Sequence, residues 1–387
     1  MAARTRFPLV DSLRAIAALG VLGTHAGAAA GLYSGDTLLG PYVARLDVGV
    51  AIFFLISGFL LYRPFVRARV EGRARPRTGA YAWRRFLRIA PGYWVALTLI
   101  ALALSLPGVF SADGVITYYG IAQAYSIDTI GGGMSQAWTL TIEVAFYAFL
   151  PLFAYAMTRV RGATPQALLR TEVVAVSALI AVGVLYKLVV LAGADPDAVR
   201  ITPALIALPA YLDQFGLGML LAVITVGLAH RDSLPAPLAL VERQPWLPWL
   251  VALIAFWVSA TQLGIDTRFF APVERDQYFL RHLLYAVVGL GVLLPAVIGD
   301  PERGLVRRVL GNPVLVYLGL ISYGIYLYNL ALITKLDQWG FGDDLPVHPY
   351  IEWLLVALAA TTVAATVSWF AIERPALRLK GRAGRTS

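Results

Sequence analysis

Five ionisable side chains lie within long apolar stretches of this sequence: Arg14, His25, Glu143, Lys187 and Asp213. If such stretches cross a bilayer, each charged side chain costs on the order of 3 kcal/mol, so these groups are candidates for function. His25 and Glu143 offer the clearest chemistry, because a carboxylate can fix the tautomer of an imidazole and raise its basicity, as a general base requires. The structural alternative is that Glu143 caps a helix or pairs with an arginine.

Arg14 and His25 belong to the same apolar stretch and are eleven residues apart. In an α-helix this spacing is close to three turns, so both side chains lie on one face, roughly 16 Å apart along the axis. We therefore expect Arg14 to assist the acid–base pair by holding a substrate or stabilising negative charge. The structural alternatives are an ion pair of Arg14 with Asp11 and an interhelical hydrogen bond of His25.

The densest basic segment of the chain includes Arg84-Arg85-Phe86-Leu87-Arg88. Arg85 and Arg88 are three residues apart, so on a helix both guanidinium groups can grip one phosphate. Coenzyme A is a cytoplasmic polyanion that carries such phosphates. The alternative is that these arginines only contact anionic lipid and set the topology.

Polar side chains also occur in the segment Ser322–Asn329. Tyr323 and Tyr326 share one helix face, and such a stripe serves either packing or a substrate pocket. The amide of Asn329 needs hydrogen-bond partners in an apolar setting. For Lys187 and Asp213 the sequence indicates only a role in holding helices together.

This chain has few side chains that could support metal or thiol chemistry. Cysteine is absent, which excludes disulfides, thiolate metal sites and a cysteine nucleophile. The four histidines lie far apart, at positions 25, 230, 282 and 348, so the sequence predicts no metal site.

The composition shows which elements must position these residues. The 387 residues are 59% hydrophobic and only 14% charged, whereas soluble chains are about 45–50% apolar and about 25% charged. This excludes a soluble enzyme, a disordered protein and a nucleic-acid-binding domain. A spanning helix needs roughly 20 apolar residues. Ten segments qualify: Phe7–Ala30, Asp47–Arg63, Phe86–Leu106, Ala137–Met157, Glu172–Ala192, Pro203–Ala229, Pro245–Leu263, Phe279–Gly299, Pro313–Thr334 and Ile351–Ile372.

The basic residues predict the orientation of these segments. With a cytoplasmic N-terminus, 24 of the 32 Lys and Arg residues fall on the inner side and 6 on the outer side. This asymmetry follows the positive-inside rule and favours ten helices with both termini in the cytoplasm. His25 and Glu143 then lie at a similar depth in the outer half of the membrane. We predict an all-α, multi-pass protein of the bacterial cytoplasmic membrane, with one domain over 1–387 and no appended soluble domain.

The polar positions form a pattern that resembles the acyltransferase 3 family of integral membrane O-acyltransferases. Six short motifs of that family recur here in order and span nearly the whole chain. One departure is Asn329, where many members carry histidine. The matching residues are Arg14 and His25; Ser57-Gly58-Phe59; Arg85 and Arg88; Trp138, Leu140 and Glu143; Ser322, Tyr323, Tyr326 and Leu327; and Glu373-Arg374-Pro375.

This resemblance implies transfer of an acyl group, by default acetyl, from acyl-coenzyme A to a sugar hydroxyl. The acceptor would be a surface glycan or a glycosylated metabolite such as a macrolide. No bound cofactor is implied, because acyl-coenzyme A is a co-substrate. His25 would be the general base, Glu143 would orient it, and Arg14 would hold the donor. Further substrate contacts are expected from Ser57, Arg85, Arg88, Trp138, Tyr323 and Asn329.

A proton-coupled transporter is the competing interpretation. Ten helices with His25, Glu143, Lys187 and Asp213 inside them are compatible with a carrier. The sequence shows no convincing internal repeat, however, and many carriers are built from inverted repeats. The six motifs therefore favour the enzyme.

Overall fold

The computed structural model describes residues 7–34, 37–230, 233–268, 271–342 and 348–380. The predicted cytoplasmic residues Arg4, Arg6, Arg382 and Arg385 lie outside these ranges, and the side of each terminus stays a prediction. Helices account for most of the described residues. The main ones are α1 Leu9–Ala29, α2 Gly49–Val70, α3 Thr78–Ala103, α4 Trp138–Arg159, α5 Pro165–Ala192, α6 Leu212–Leu228, α7 Ala236–Arg243, α8 Trp246–Trp257, α9 Arg275–Val297, α10 Pro313–Leu320, α11 Ser322–Gln338 and α12 Pro349–Ser368.

Within the described ranges, eight helices are long and apolar enough to cross a membrane, and two bent helix pairs raise the number to as many as ten. This confirms an all-α, multi-pass protein. The predicted ninth span, Pro313–Thr334, is bent, because α10 and α11 meet at an angle of 71°. Hydropathy cannot reveal this bend, since both halves are apolar.

The third predicted span also begins in a different place. Helix α3 starts at Thr78, eight residues before Phe86, so Arg85 and Arg88 lie inside the helix rather than in front of it. Their side chains therefore project from its second and third turns. The loop 71–77 and the first turn of α3 lie at one end of the bundle, which we call the basic end.

Helices α2 and α6 pack with their backbones in direct contact. A Cβ atom on Gly58 would lie 2.1 Å from the carbonyl oxygen of Phe215, and one on Gly218 would lie 2.0 Å from that of Leu55. The two backbones therefore touch, as small residues allow in membrane helices. This contact fixes the rotation of α2 and thus the direction in which Ser57 points.

A buried polar cluster joins α5, α6 and α9. Nζ of Lys187 lies 3.1 Å from Oδ2 of Asp213, and Nε2 of His282 lies 3.0 Å from the same oxygen. All three residues are buried. Lys187 and Asp213, for which the sequence indicated only a role in holding helices together, form an ion pair between α5 and α6, with His282 as a partner that the sequence did not indicate.

Candidate active site

A cavity of about 120 Å³ lies among α1, α2, α3, α4 and α11, and we call it the central cavity. Its polar wall carries three arginines and one carboxylate. Each helix contributes at least one polar residue, so the site exists only when the five helices are packed together. These polar residues are Arg14, Ser57, Arg85, Arg88, Thr139, Glu143, Tyr147, Ser322, Tyr323 and Tyr326.

Glu143 lies in the wall of the central cavity. Its Oε1 accepts hydrogen bonds from the Ser57 hydroxyl at 2.7 Å and from the Tyr147 hydroxyl at 2.7 Å. Tyr147 is one turn further along α4, so the sequence spacing explains this contact. The predicted contact between Glu143 and His25 is wrong, because both hydrogen bonds of Glu143 among the described residues go to other side chains.

His25 pairs with Asn329 instead. Nδ1 of the imidazole lies 2.5 Å from Oδ1 of the amide, which is fully buried. The amide nitrogen of Asn329 donates to the carbonyl oxygens of Ile325 and Tyr326, at 2.8 and 2.9 Å. Both N–H groups are therefore in use, and Oδ1 can only accept a hydrogen bond.

This arrangement fixes the tautomer of His25. Since Oδ1 of Asn329 accepts, Nδ1 of the neutral imidazole must carry the proton, and Nε2 keeps a free lone pair. His25 lies near the end of α1, outside the wall of the central cavity, and its side chain is partly accessible. Nε2 can therefore act as a base toward a molecule that reaches this depth.

The three arginines of the central cavity have different surroundings. A guanidinium nitrogen of Arg88 lies 3.6 Å from a carboxylate oxygen of Glu373. Arg85 lies over the ring of Tyr147, 5.7 Å from its centre. Arg14 forms no ion pair or side-chain hydrogen bond within the described residues, so the suggested pair with Asp11 is absent there. Three guanidinium groups and one carboxylate leave the cavity positively charged.

The aromatic candidates divide between two places. Tyr323 lines the central cavity, donates to the carbonyl oxygen of Ile89 at 2.9 Å, and lies under Arg88, 5.6 Å from the guanidinium. Trp138 is outside the cavity wall, with its ring 6.2 Å from that of Tyr211. The expected contribution of Trp138 to this cavity is therefore not supported by the geometry.

The family model described as an acyltransferase domain, acyltransferase 3, matches residues 8–373. The chain belongs to the acyltransferase 3 family. The resemblance carried by the six motifs is thereby confirmed. The chain is an acyltransferase that crosses the membrane several times.

Curated relatives cover nearly all of this chain. Nodulation protein 10 of Rhizobium leguminosarum bv. viciae is 28% identical over 96% of the chain and 93% of its own length. Peptidoglycan O-acetyltransferase OatA of Listeria monocytogenes is 24% identical, and O-acetyltransferase OatA of Staphylococcus aureus is 23% identical. These two alignments include 96–97% of this chain but only 56–57% of the length of each OatA protein. No solved structure matches significantly.

Two residues of this acyltransferase site were not predicted from the sequence to contribute to it. Glu373 faces Arg88 from the end of the last helix, and it lies in a π-helical turn, Trp369–Glu373. Such turns recur at functional sites. Tyr147 was also missed. The Glu-Arg-Pro motif was the available signal for Glu373, and the i, i+4 spacing from Glu143 was the signal for Tyr147.

Lys380 adds to the positive charge near Arg85 and Arg88. Partial burial lowers the pKa of this amine, and the nearby charges of Arg85, Arg88 and Arg84 lower it further. Like charges disfavour one another's ionised forms, so Lys380 and the three arginines repel one another. An anionic ligand would relieve this repulsion.

Proposed function

We propose that this acyltransferase moves an acyl group, by default acetyl, from acyl-coenzyme A to a hydroxyl group of a sugar, with His25 as the general base. The observation that carries the proposal is the fixed tautomer of His25, whose Nε2 is left free to accept a proton. The Nδ1–H of the imidazole donates to Asn329. Asn329 thus takes the orienting role that the sequence had assigned to Glu143.

The chemical step needs no group beyond the two substrates and His25. Nε2 of His25 takes the proton of the acceptor hydroxyl as its oxygen attacks the thioester carbonyl carbon. The new C–O bond forms, the C–S bond breaks, and the sulfur leaves as a thiolate. The imidazolium then returns the proton to this thiolate, which regenerates the base. General acid–base catalysis of this kind contributes about 10²–10⁴-fold.

The positive charge of the central cavity supports coenzyme A as the donor. Arg14, Arg85 and Arg88 line one cavity, and guanidinium groups bind phosphates by paired hydrogen bonds. The pantetheine arm between the diphosphate and the sulfur has about twelve bonds. An extended peptide of about four residues has the same number of backbone bonds, so the arm spans roughly 14 Å. Arg14 and His25 are roughly 16 Å apart along α1. A diphosphate at Arg14 would therefore place the thioester close to His25.

Glu143 has a charge-balancing role in this proposal. Its carboxylate faces a cavity with three arginines, and it is held by the hydroxyls of Ser57 and Tyr147. Together with Glu373, which lies 3.6 Å from Arg88, the carboxylate of Glu143 limits mutual repulsion among the guanidinium groups when no donor is bound. It also leaves enough positive charge to attract the donor.

The acceptor is proposed from the relatives. Two of them are named O-acetyltransferases, and the name of one specifies peptidoglycan. We infer a glycan or a glycosylated metabolite, such as a macrolide, as the acceptor of this chain. Mass spectrometry can compare the surface glycans and secreted metabolites of a deletion strain with those of its parent. The acceptor is the species that carries an acyl group in the parent and lacks it in the deletion strain.

The test of the reaction uses the purified full chain in detergent with acetyl-coenzyme A and the identified acceptor. We expect release of free thiol without any membrane gradient, and His25→Ala should lower the rate by roughly 10²–10⁴-fold. His230→Gln is the matched control, because that imidazole lies just beyond the end of α6, outside the cavity, and bonds to the backbone carbonyl oxygen of Val226. A folded His25→Ala protein with near-normal activity would remove the base assignment.

A further inference from the structure

A second cavity, of about 110 Å³, opens at the basic end of the bundle between α2, the start of α3 and α4. We call it the basic cleft. Its wall includes Phe65, Arg73, Arg75, Tyr155 and Thr158. No residue of the basic cleft takes part in the acyl transfer described above.

The basic cleft combines positive charge with flat side chains. The guanidinium of Arg75 lies over the ring of Tyr155, 5.2 Å from its centre. Arg73 is 65% exposed and lies 2.7 Å from Glu71, a surface pair that contributes little to stability. Arg69 is different, because it is committed to the buried Glu172 at 2.6 Å. Arg73 and Arg75 therefore remain able to bind an anion.

The basic cleft and the central cavity follow the same helices. Along α4, Tyr147 of the central cavity is followed at one and two turns by Pro151 and Tyr155 of the cleft. Eight residues of helix separate Tyr147 from Tyr155, which is roughly 12 Å. Along α3, Thr78 lines the cleft and Arg85 lines the central cavity, with Tyr81 one turn from each.

Tyr81 provides an independent observation between the two cavities. Its side chain is buried against Phe65, with the ring centres 5.7 Å apart. The hydroxyl of Tyr81 has no hydrogen-bond partner among the described residues, and neither does Nε of Arg85. Buried polar groups are almost always hydrogen-bonded, so two orphaned groups on one helix face point to a polar ligand that passes them.

We propose that the basic cleft binds the adenosine 3′-phosphate end of coenzyme A, while Arg14, Arg85 and Arg88 bind its diphosphate. This inference rests on the proposed acyl-coenzyme A donor. The guanidinium groups of Arg75 and Arg159 both lie over the ring of Tyr155, so the outer face of the Arg75 guanidinium is the flat surface on which a purine stacks. Arg73 and Arg75 supply charge for the 3′-phosphate. The hydroxyl of Tyr81 donates to the ligand between the two cavities. The donor thus extends along α3 and α4, with its nucleotide at the basic end.

The experiment measures binding of two fragments of the donor to the full chain in detergent. Adenosine 3′,5′-bisphosphate represents the nucleotide end, and acetyl-4′-phosphopantetheine represents the arm with one phosphate. The cleft variant is Arg75→Glu with Tyr155→Ala, and the cavity variant is Arg85→Gln with Arg88→Gln. Arg243→Glu is the matched control, since this exposed arginine ends α7, outside the basic cleft.

The two variants should weaken the binding of different fragments. We expect the cleft variant to bind the bisphosphate and acetyl-coenzyme A roughly 10- to 100-fold more weakly, with the phosphopantetheine unaffected. The cavity variant should lose affinity mainly for the phosphopantetheine. Tyr81→Phe should weaken acetyl-coenzyme A by about fivefold, the size of one neutral hydrogen bond. The control should bind all three probes as the unmodified protein does.

Other outcomes separate this inference from the proposed function. If acetyl-coenzyme A binds equally to the cleft variant and the control, the cleft assignment is overturned while the donor stands. If the unmodified protein binds no acetyl-coenzyme A, both proposals fail. If the cleft variant changes only binding to phosphatidylglycerol vesicles, the basic cleft is a lipid site and the inference is overturned.

Discussion

Asn329 decides which nitrogen of His25 is available for chemistry. An amide whose N–H groups both bond to backbone carbonyls presents only its oxygen to the imidazole. Many family members carry histidine here, and a histidine can accept or donate at the same position. In this chain the amide removes that ambiguity, because Oδ1 of Asn329 can only accept a hydrogen bond from His25.

Asn329→Leu tests this orienting role. Leucine keeps the volume and removes the acceptor, so Nδ1 of His25 loses its partner and both tautomers become populated. We expect kcat to fall about tenfold, which corresponds to the loss of one hydrogen bond, while the Kd for acetyl-coenzyme A stays unchanged. Steady-state kinetics and direct binding separate these two quantities. A change in Kd with kcat intact would argue against an orienting role.

At the scale of elements, the α2–α6 contact positions Ser57 against Glu143. Gly58 and Gly218 allow each backbone to approach the carbonyl oxygens of the other helix. The Ser57 hydroxyl points away from this contact, into the central cavity. The Ser-Gly-Phe motif therefore contains one residue for packing beside one residue for the site.

Gly58→Ala tests the packing. The new Cβ would lie 2.1 Å from the carbonyl oxygen of Phe215, so the helices must separate. Overpacking of this kind costs about 1–3 kcal/mol, and we expect a lower unfolding temperature in detergent together with reduced activity. Gly79→Ala is the control, because no atom lies within 4 Å of its added Cβ. Equal stability of the two variants would contradict the close contact.

At the scale of the whole molecule, Asp213 links three helices of the bundle. Its carboxylate contacts both Lys187 on α5 and His282 on α9. These groups are buried, so each depends on its partner to compensate for the loss of water. The cluster therefore holds α5 and α9 in register with α6, which in turn contacts α2.

Asp213→Ala tests this connection. Removing one partner leaves a buried ammonium without its counter-charge, which costs about 3–5 kcal/mol. Thermal unfolding in detergent should show a marked loss of stability. The double variant Lys187→Met with Asp213→Leu removes both charges and should recover most of it. An Asp213→Ala protein as stable as the unmodified one would rule out a structural role for the cluster.

Most residues of the site could be predicted from the sequence, but their hydrogen-bond partners could not. Arg14, Ser57, Arg85, Arg88, Glu143 and Tyr323 all line the central cavity. Trp138 does not, and His25 bonds to Asn329 rather than to Glu143. Similar predicted depth suggested the His25–Glu143 contact, but depth says nothing about the direction in which each helix turns its side chains.

The sequence by itself determined the membrane environment, the apolar segments and the shared face of Arg14 and His25. These properties are local, since hydropathy and the helical period are carried by consecutive residues. The tertiary structure alone decided that His25 meets Asn329, 304 positions away, and that Glu143 meets Ser57, 86 positions away. Such contacts depend on how far each helix is rotated and shifted against its neighbours, and close packing sets both.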